Sequence, residues 1–180
     1  MILIVQKHFD KLEELRIRIL DDTRGLRPEQ LLFRPEPEAW CILEVFDHLI
    51  TAEGNGLKYM LKKIQGMDTI GKSDITADIR AAILNFTLKL PIKFKAPPAA
   101  QIQRREYYDF EEITKEWADL REQYREFLDH FDIAASEKLI FKHPIAGRLN
   151  IIQALDFQYE HAHHHEGQIE RIKKHPEYPQ

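Results

Sequence analysis

The sequence predicts an all-α protein, a four-helix bundle with a shorter extra helix and long connections, in a single domain over residues 1–180. Several long stretches carry apolar residues at steps of three and four, which is the spacing of one helix face. Prolines fall between these stretches, where helices must end. A chain of 180 residues that is 43% hydrophobic and 31% charged can bury one core and has the composition of an ordinary soluble protein.

Charge and cysteine content exclude several classes of function. The net charge is −4, from 26 basic and 30 acidic residues, and no basic block stands out, so we expect no nucleic-acid partner. The single cysteine, Cys41, excludes a disulfide framework within the chain and favours a reducing compartment. Residues 1–5 are apolar but lack the features of a signal peptide, and no apolar run has the length of a membrane span. We therefore expect a cytoplasmic protein without a membrane partner.

The first helix is predicted over residues 4–23. Its apolar positions recur at helical spacing and are Val5, Phe9, Leu12, Leu15 and Ile19. Gly25 is placed to end this helix as a left-handed cap. The three prolines that follow, up to Pro37, exclude a long helix, although Pro28 suits the first position of one short turn that reaches Leu32.

The second helix is predicted to begin near Cys41 and to run into the low sixties, with Trp40 just before its start. Gly54 and Gly56 weaken its middle by about 1 kcal/mol each relative to alanine. We therefore expect a kink or a break at these glycines.

The region before the next long helix is the hardest to interpret. Residues 74–90 have helical spacing and stop at Pro91, and residues 91–108 are predicted to form a long loop. The region has too few apolar residues for a core of its own, so we expect no second domain.

The helix over residues 110–131 has the clearest pattern. Its apolar seam has no gap and consists of Phe110, Ile113, Trp117, Leu120, Tyr124, Phe127 and Phe131. Asp109 and Glu112 form a good N-terminal cap pair. This seam indicates a helix bundle, with the aromatic side chains in its core.

The last helix follows a second connection over residues 132–149. Asn150 is predicted to cap this helix, with Gln153 three residues later, and Pro176 lies beyond its end. We expect the tail, residues 175–180, to be loosely held.

Four of the nine histidines lie in this last helix. His161 and His165 are one turn apart on one face, and two imidazoles at positions i and i+4 can bind one metal ion. His163 faces the opposite side, and His164 lies at the edge. A solvated helix face, or core histidines with satisfied hydrogen bonds, remain alternatives to a metal site.

His48 is the candidate third ligand. It lies about two turns into the second helix, among apolar neighbours that should face the bundle. A lone histidine there would be a core residue. Facing His161 and His165, however, it would complete a set of three neutral imidazoles that leaves positions open for water and substrate.

Four stretches occur in order along nearly the whole chain. They are the proline-rich residues 26–35, the tryptophan-led residues 40–49, residues 141–150 with His143-Pro144, and residues 161–169 with the histidine pair and Gly167-Gln168. Together they resemble the DinB-like (YfiT-like) family of metal-binding four-helix bundles. Two positions depart from the family pattern, since Cys41 replaces a serine or threonine and Glu166 replaces a frequent arginine.

The resemblance implies an up-down-down-up bundle, often a homodimer, that holds a divalent metal ion such as zinc or nickel. The family's three metal ligands fall on His48, His161 and His165, whereas His163 and His164 are extra. Known activities in the family include thiol transfer from a low-molecular-weight thiol to an electrophile and a thiol-dependent isomerisation, and other members are predicted hydrolases.

Two functions follow as hypotheses. The first is a metal-dependent transferase or hydrolase that acts on a small molecule, and the second is a non-catalytic metal-binding or stress-related structural protein. Three ligands with open positions favour the enzyme. No general base stands out, since Glu44 is interpreted as a solvated charge and Cys41 as a structural thiol. If the histidines have ordinary pKa values, metal affinity should fall steeply below about pH 6.

Overall fold

The computed structural model describes residues 1–66, 70–73, 76, 78–79, 82–83, 104–143 and 146–180. Five α-helices are named within these ranges: α1 (Leu3–Thr23), α2 (Pro28–Leu31), α3 (Ile42–Ile64), α4 (Phe110–Asp129) and α5 (Ile151–Lys173). A 3₁₀ turn, Ile133–Ala135, and two short strands, β1 (Phe141–His143) and β2 (Gly147–Leu149), lie between α4 and α5. Residues 91–103 of the predicted loop over residues 91–108, and most of the predicted helix over residues 74–90, lie outside the described residues.

Contacts along α1 fix the directions of two of its neighbours. Its contacts with α5, in order, are His8–Asp156, Arg18–Glu166 and Asp22–Lys173. Its contacts with α4 include, in order, Phe9–Tyr124 and Glu13–Arg121, and the N-terminus of Met1, just before α1, pairs with Asp129. Residue numbers rise together along α1 and α5 but in opposite directions along α1 and α4, so α5 is parallel to α1 and α4 is antiparallel to it.

The remaining long helix, α3, is parallel to α4. Phe46 packs on Phe110, and Glu53 pairs with Arg121 further along both helices. The order is therefore up-down-down-up, as the family resemblance implies. Two parallel neighbours need a connection that returns along the length of the bundle, which is why a long segment separates α3 from α4.

The core consists of the apolar stripes of the four long helices. The predicted seam of α4 is buried except at Phe110, which is half-buried. Residues 41–49 of α3 are all buried, so the start of this helix is enclosed on every side. That enclosure places His48 in the interior.

The two glycines of α3 do not break the helix, which is continuous from Ile42 to Ile64. The expectation of a break there is therefore wrong. A Cβ atom on Gly56 would lie 2.8 Å from Cε2 of Phe141 and 3.1 Å from Nε2 of Gln158. Gly56 thus allows close approach of β1 and α5 to α3.

The helix starts follow the predicted caps. The Asp109 side chain accepts from the backbone N–H of Glu112, and Asn150 and Gln153 exchange two hydrogen bonds. The predicted left-handed cap at Gly25 is wrong, because Gly147 is the only glycine with a positive φ among the described residues. The end of α1 is instead satisfied by Thr23, whose hydroxyl donates to the carbonyl of Ile19 at 2.8 Å.

Two features of the chain after α4 were not predicted. β1 and β2 form a small antiparallel hairpin, in which Gly147 adopts a φ of 76°. Residues 175–180 are not loosely held, since Tyr178 is buried against Phe33 and the Pro179 carbonyl accepts from Gln30 at 3.0 Å. Among the helices that the structure describes, none is long and apolar enough to cross a membrane.

Candidate metal centre

Three imidazoles from two helices meet in the bundle interior. Nε2 of His161 lies 3.2 Å from Nε2 of His48 and 3.2 Å from Nε2 of His165. His48 and His165 are buried, and His161 is half-buried. Zinc–nitrogen bonds of about 2.0–2.1 Å in a tetrahedral site place neighbouring nitrogens roughly 3.3 Å apart. The three residues predicted from the sequence are therefore brought together at the spacing of ligands to one ion.

The helices determine how each ring reaches this point. His161 and His165 are one turn apart on α5, so their side chains project from the same face. His48 projects from α3, which runs antiparallel to α5. The separation of α3 and α5 therefore decides whether the third nitrogen meets the other two.

Hydrogen bonding and burial prepare the imidazoles to bind a cation. Nδ1 of His165 lies 2.8 Å from Oε1 of Gln168, so its proton is on Nδ1 and its Nε2 carries a lone pair. Burial, reinforced by His48, lowers the pKa of His165 to about 3. Burial, with His165 and His48 nearby, also lowers the pKa of His161 well below its usual value. Neutral imidazoles at the spacing of a coordination shell fit a divalent metal ion.

Aromatic rings surround the histidines. The Trp40 ring centroid lies 4.8 Å from that of His48 and 6.2 Å from that of His165. Phe157 stacks on His161, with ring centroids 5.5 Å apart, and the His143 ring centroid lies 4.5 Å from that of Phe157. A reacting molecule at the histidines would therefore meet mainly aromatic surface.

Glu44 is not a solvated charge, contrary to the prediction from sequence. It is fully buried, and its Oε1 lies 2.9 Å from both Arg34 and Arg104. The backbone N–H of Cys41 donates to its Oε2 at 2.9 Å, which caps α3. Glu44 thus fixes the start of the helix that carries His48. Burial raises the pKa of the Cys41 thiol to about 11, which supports its interpretation as a structural thiol.

A second carboxylate beside His48 was not identified from the sequence. Asp47 pairs with Arg105 at 2.7 Å and accepts from the Tyr108 hydroxyl at 3.1 Å. Arg105 also pairs with Glu116 of α4 at 2.7 Å. These contacts attach residues 104–108 to α3. The sequence does contain a signal for these buried ion pairs, because two acidic residues, Glu44 and Asp47, interrupt the apolar start of α3.

The remaining histidines of α5 do not join the cluster. His163 is exposed and lies 2.7 Å from Glu166, which also pairs with Arg18. Hydrogen bonds to Arg18 and His163 outweigh burial and lower the pKa of Glu166. Among the described residues, no fourth histidine, cysteine or carboxylate lies close enough to His48, His161 and His165 to bind the same ion. The sequence therefore predicted correctly that His163 points away from the other two.

Comparisons with known proteins agree with the fold. The chain is 24% identical over 161 residues to the uncharacterized protein YuaE of Bacillus subtilis (strain 168), an alignment that covers 89% of this chain and 94% of YuaE. The structure of YfiT from Bacillus subtilis, reported as a probable metal-dependent hydrolase with an unusual four-helix bundle topology, matches with a TM-score of 0.62 and 16% identity. That match covers 94% of this chain and 86% of YfiT.

The family resemblance carried by four short stretches of the sequence holds over most of the chain. The model of the DinB superfamily matches residues 11–169, a range that includes all three clustered histidines. This protein therefore belongs to the DinB superfamily.

Proposed function

We propose that this protein is a metal-dependent enzyme that acts on a small molecule, with His48, His161 and His165 as the ligands of one divalent ion, zinc or nickel. The observation that carries the proposal is the convergence of three Nε2 atoms, at 3.2 Å for two of the pairs, without a fourth protein ligand among the described residues. A site with three protein ligands has positions left for water or substrate, which is the arrangement of catalytic rather than structural zinc sites.

The chemistry follows from the donor set. A divalent ion held by three imidazoles lowers the pKa of water or of a thiol and so supplies a nucleophile near neutral pH. The low pKa values of His161 and His165 keep both rings neutral, so they bind cations without first losing protons. Trp40 and Phe157 exclude water from the sides of the site and favour apolar parts of a substrate.

Two reactions fit this site. Hydrolysis is supported by the description of the structural neighbour YfiT as a probable metal-dependent hydrolase. Transfer of a low-molecular-weight thiol to an electrophile is supported by the family resemblance seen in the sequence. The second candidate function, a non-catalytic metal-binding protein, is favoured only by the strong burial of His48 and His165, which limits access to the ion.

The first experiment measures metal content. Protein purified without a histidine tag should contain close to one equivalent of zinc or nickel, determined by elemental analysis. Replacement of His48, His161 or His165 by alanine should abolish tight binding. His163→Ala is the matched control, because His163 is exposed on the same helix and should keep full occupancy. Unchanged metal content in His48→Ala would contradict the three-ligand site.

The second experiment separates the reactions. Metal-loaded protein is incubated with ester and amide substrates, and separately with a low-molecular-weight thiol and an electrophile. Turnover that requires the thiol supports transfer, and turnover in water alone supports hydrolysis. Activity that persists in His161→Ala would contradict an enzyme that uses this site, and the absence of turnover in both screens would favour the non-catalytic alternative.

A homodimer is a further part of the proposal. Two apolar residues of α1 lie outside its predicted apolar stripe and differ in exposure, since Ile17 is 46% exposed but Leu20 is buried in the core. Ile17 therefore supports an interface on this face, and Leu20 does not. Light scattering at micromolar concentration should give the mass of a dimer, and Ile17→Glu should shift it towards a monomer if this face forms the interface.

A further inference from the structure

Beside the histidines, the bundle interior holds a chain of buried polar groups with Tyr124 at its centre. The Tyr124 hydroxyl donates to the backbone carbonyl of Glu53 at 2.9 Å and accepts from Nε2 of Gln158 at 2.5 Å. A hydroxyl has one proton to donate and two acceptor positions, so both bonds form at the same time. Through one oxygen atom of α4, Tyr124 thus connects α3 to α5.

Both partners of Tyr124 lie on the helices that carry the clustered histidines. Glu53 follows His48 by five residues on α3, which is about 7.5 Å along the axis, and Gln158 precedes His161 by three residues on α5, about 4.5 Å. Because α3 and α5 run antiparallel, the two displacements point towards the same end of the bundle. The connection therefore lies one to two turns from the histidines, between the same two helices.

The packing around this connection leaves little freedom. The Glu53 carboxylate accepts from Nε1 of Trp117 at 3.1 Å and from Arg121 at 2.9 Å, so its side chain is also held by α4. Gly56 leaves room for the hydrogen bond between Tyr124 and Gln158, because a Cβ atom there would lie 3.4 Å from the Tyr124 hydroxyl and 3.1 Å from Nε2 of Gln158. Tyr124 and Glu53 are buried almost completely, and so is Gln158.

We propose that Tyr124 is a positioning residue that sets the distance between α3 and α5, and thereby the reach of His48 towards His161 and His165. The spacing of His161 and His165 is set by α5 alone, since both belong to one helix. His48 depends on the separation of two helices, and the Tyr124 hydroxyl is bonded to both of them. This inference rests on the metal site of the proposed function.

The test compares zinc affinity in wild-type protein and Tyr124→Phe, which removes only the hydroxyl. The dissociation constant is measured at pH 7.5 by competition with a chelator, on protein that circular dichroism shows to be folded. We expect binding at least about tenfold weaker, the size of effect typical of groups that position metal ligands. Cobalt(II) as a spectroscopic probe should show altered visible bands, since the coordination geometry changes.

Tyr178→Phe is the matched control. It also removes a buried tyrosine hydroxyl, and this hydroxyl has no hydrogen-bond partner among the described residues. Its zinc affinity should equal that of the wild type. A purely structural role for Tyr124 would lower the melting temperature of the metal-free protein and leave the zinc dissociation constant of the folded protein unchanged.

The outcomes separate this inference from the proposed function. Wild-type zinc affinity and an unchanged cobalt spectrum in Tyr124→Phe would overturn the positioning role and leave the metal site intact. A wild-type protein that binds neither zinc nor nickel would overturn both. If Tyr124→Phe does not fold, Gln158→Met takes its place, because it removes only the bond from α5. Weaker zinc binding in that variant supports the inference, and unchanged binding overturns it.

Discussion

Nδ1 of His165 and Oε1 of Gln168 are 2.8 Å apart, one turn of α5 from each other. An amide oxygen only accepts, so this bond holds the proton on Nδ1 and turns Nε2 towards His48 and His161. Gln168→Leu removes the acceptor and frees the ring to rotate or to change tautomer. We expect zinc affinity to fall about 10- to 100-fold, measured by competition with a chelator.

Gln168→Glu is the control for this prediction, because a carboxylate also accepts from Nδ1 of His165. Its zinc affinity should be equal to that of the wild type or higher. Equal affinity in Gln168→Leu and the wild type would show that packing against Trp40, which lies 6.2 Å from the His165 ring, is enough to orient the imidazole.

Replacement of Glu44 should destabilise the start of α3. Glu44→Ala removes the partner of Arg34 and Arg104 and leaves the backbone N–H of Cys41 without its acceptor. Glu44 is buried while both arginines are partly exposed, so the loss of the two ion pairs and of the buried acceptor should lower the free energy of unfolding by about 2 kcal/mol, measured by urea denaturation. Glu44→Gln keeps an acceptor for the Cys41 N–H and should lose roughly half as much.

Glu38 provides the matched control for Glu44. It lies 3.9 Å from the same Arg104, but its side chain is 95% exposed. Glu38→Ala should therefore change the free energy of unfolding by less than about 0.5 kcal/mol. If Glu38→Ala and Glu44→Ala lowered the free energy of unfolding equally, the burial of Glu44 would not contribute to stability.

The two glycines of α3 should respond to alanine with opposite signs. Among the described residues, a Cβ atom on Gly54 meets only the methyl groups of Leu120, at 3.9 and 4.0 Å. Gly54→Ala should therefore stabilise the protein by up to about 1 kcal/mol through helix propensity. A Cβ atom on Gly56 meets the Phe141 ring at 2.8 Å, and the resulting clash should cost about 1–3 kcal/mol. Urea denaturation of the two variants measures both changes. If Gly56→Ala also stabilised the protein, β1 would be able to shift away from α3 without loss of stability.

Much of the fold follows from local patterns. The seam of α4 and the caps at Asp109 and Asn150 depend on neighbouring residues in the chain, so helical spacing and capping chemistry were enough to predict them. The pair His161 and His165 was predictable for the same reason, because one helix sets its geometry. The apolar surroundings of His48 in the second helix made it a candidate partner, and the family resemblance assigned it as the third ligand.

The interactions that were missed or misinterpreted join distant parts of the chain. Glu44 has the pattern of a solvated helix charge until Arg34 and Arg104 are placed beside it. Gly56 weakens an isolated helix, but in the bundle the same absence of a side chain makes room for Phe141 and Gln158. Contacts of this kind depend on tertiary packing, which the sequence pattern of a single helix does not contain.

Burial of the histidines should make the metal-free protein sensitive to acid. The unfolded chain takes up a proton on His165 near pH 6.5, whereas the folded protein does so only near its lowered pKa of about 3. Between these values the unfolded state binds more protons, so the free energy of unfolding falls as the pH falls, by about 1.4 kcal/mol per pH unit for this residue. The lowered pKa of His143, about 4, acts in the same direction. Urea denaturation between pH 7 and 5 should show the free energy of unfolding falling with pH, the His165 contribution to the slope approaching this limit only below about pH 6. His165→Gln should reduce the slope.

The response of the metal-loaded protein to pH should differ from the expectation based on ordinary histidines. At a pKa of 6.5 each ligand would be about 97% protonated at pH 5, and the metal effect on stability would vanish there. The lowered pKa of about 3 keeps His165 neutral in the folded protein at pH 5, and burial shifts the pKa of His161 in the same direction, so protons compete with the metal at lower pH than they would for ordinary histidines. We expect added zinc or nickel to raise the melting temperature at pH 7.5 and to retain most of that increase at pH 5. An increase that is lost by pH 5 would mean that the histidines titrate as solvated groups, and no increase at pH 7.5 would contradict the metal site itself.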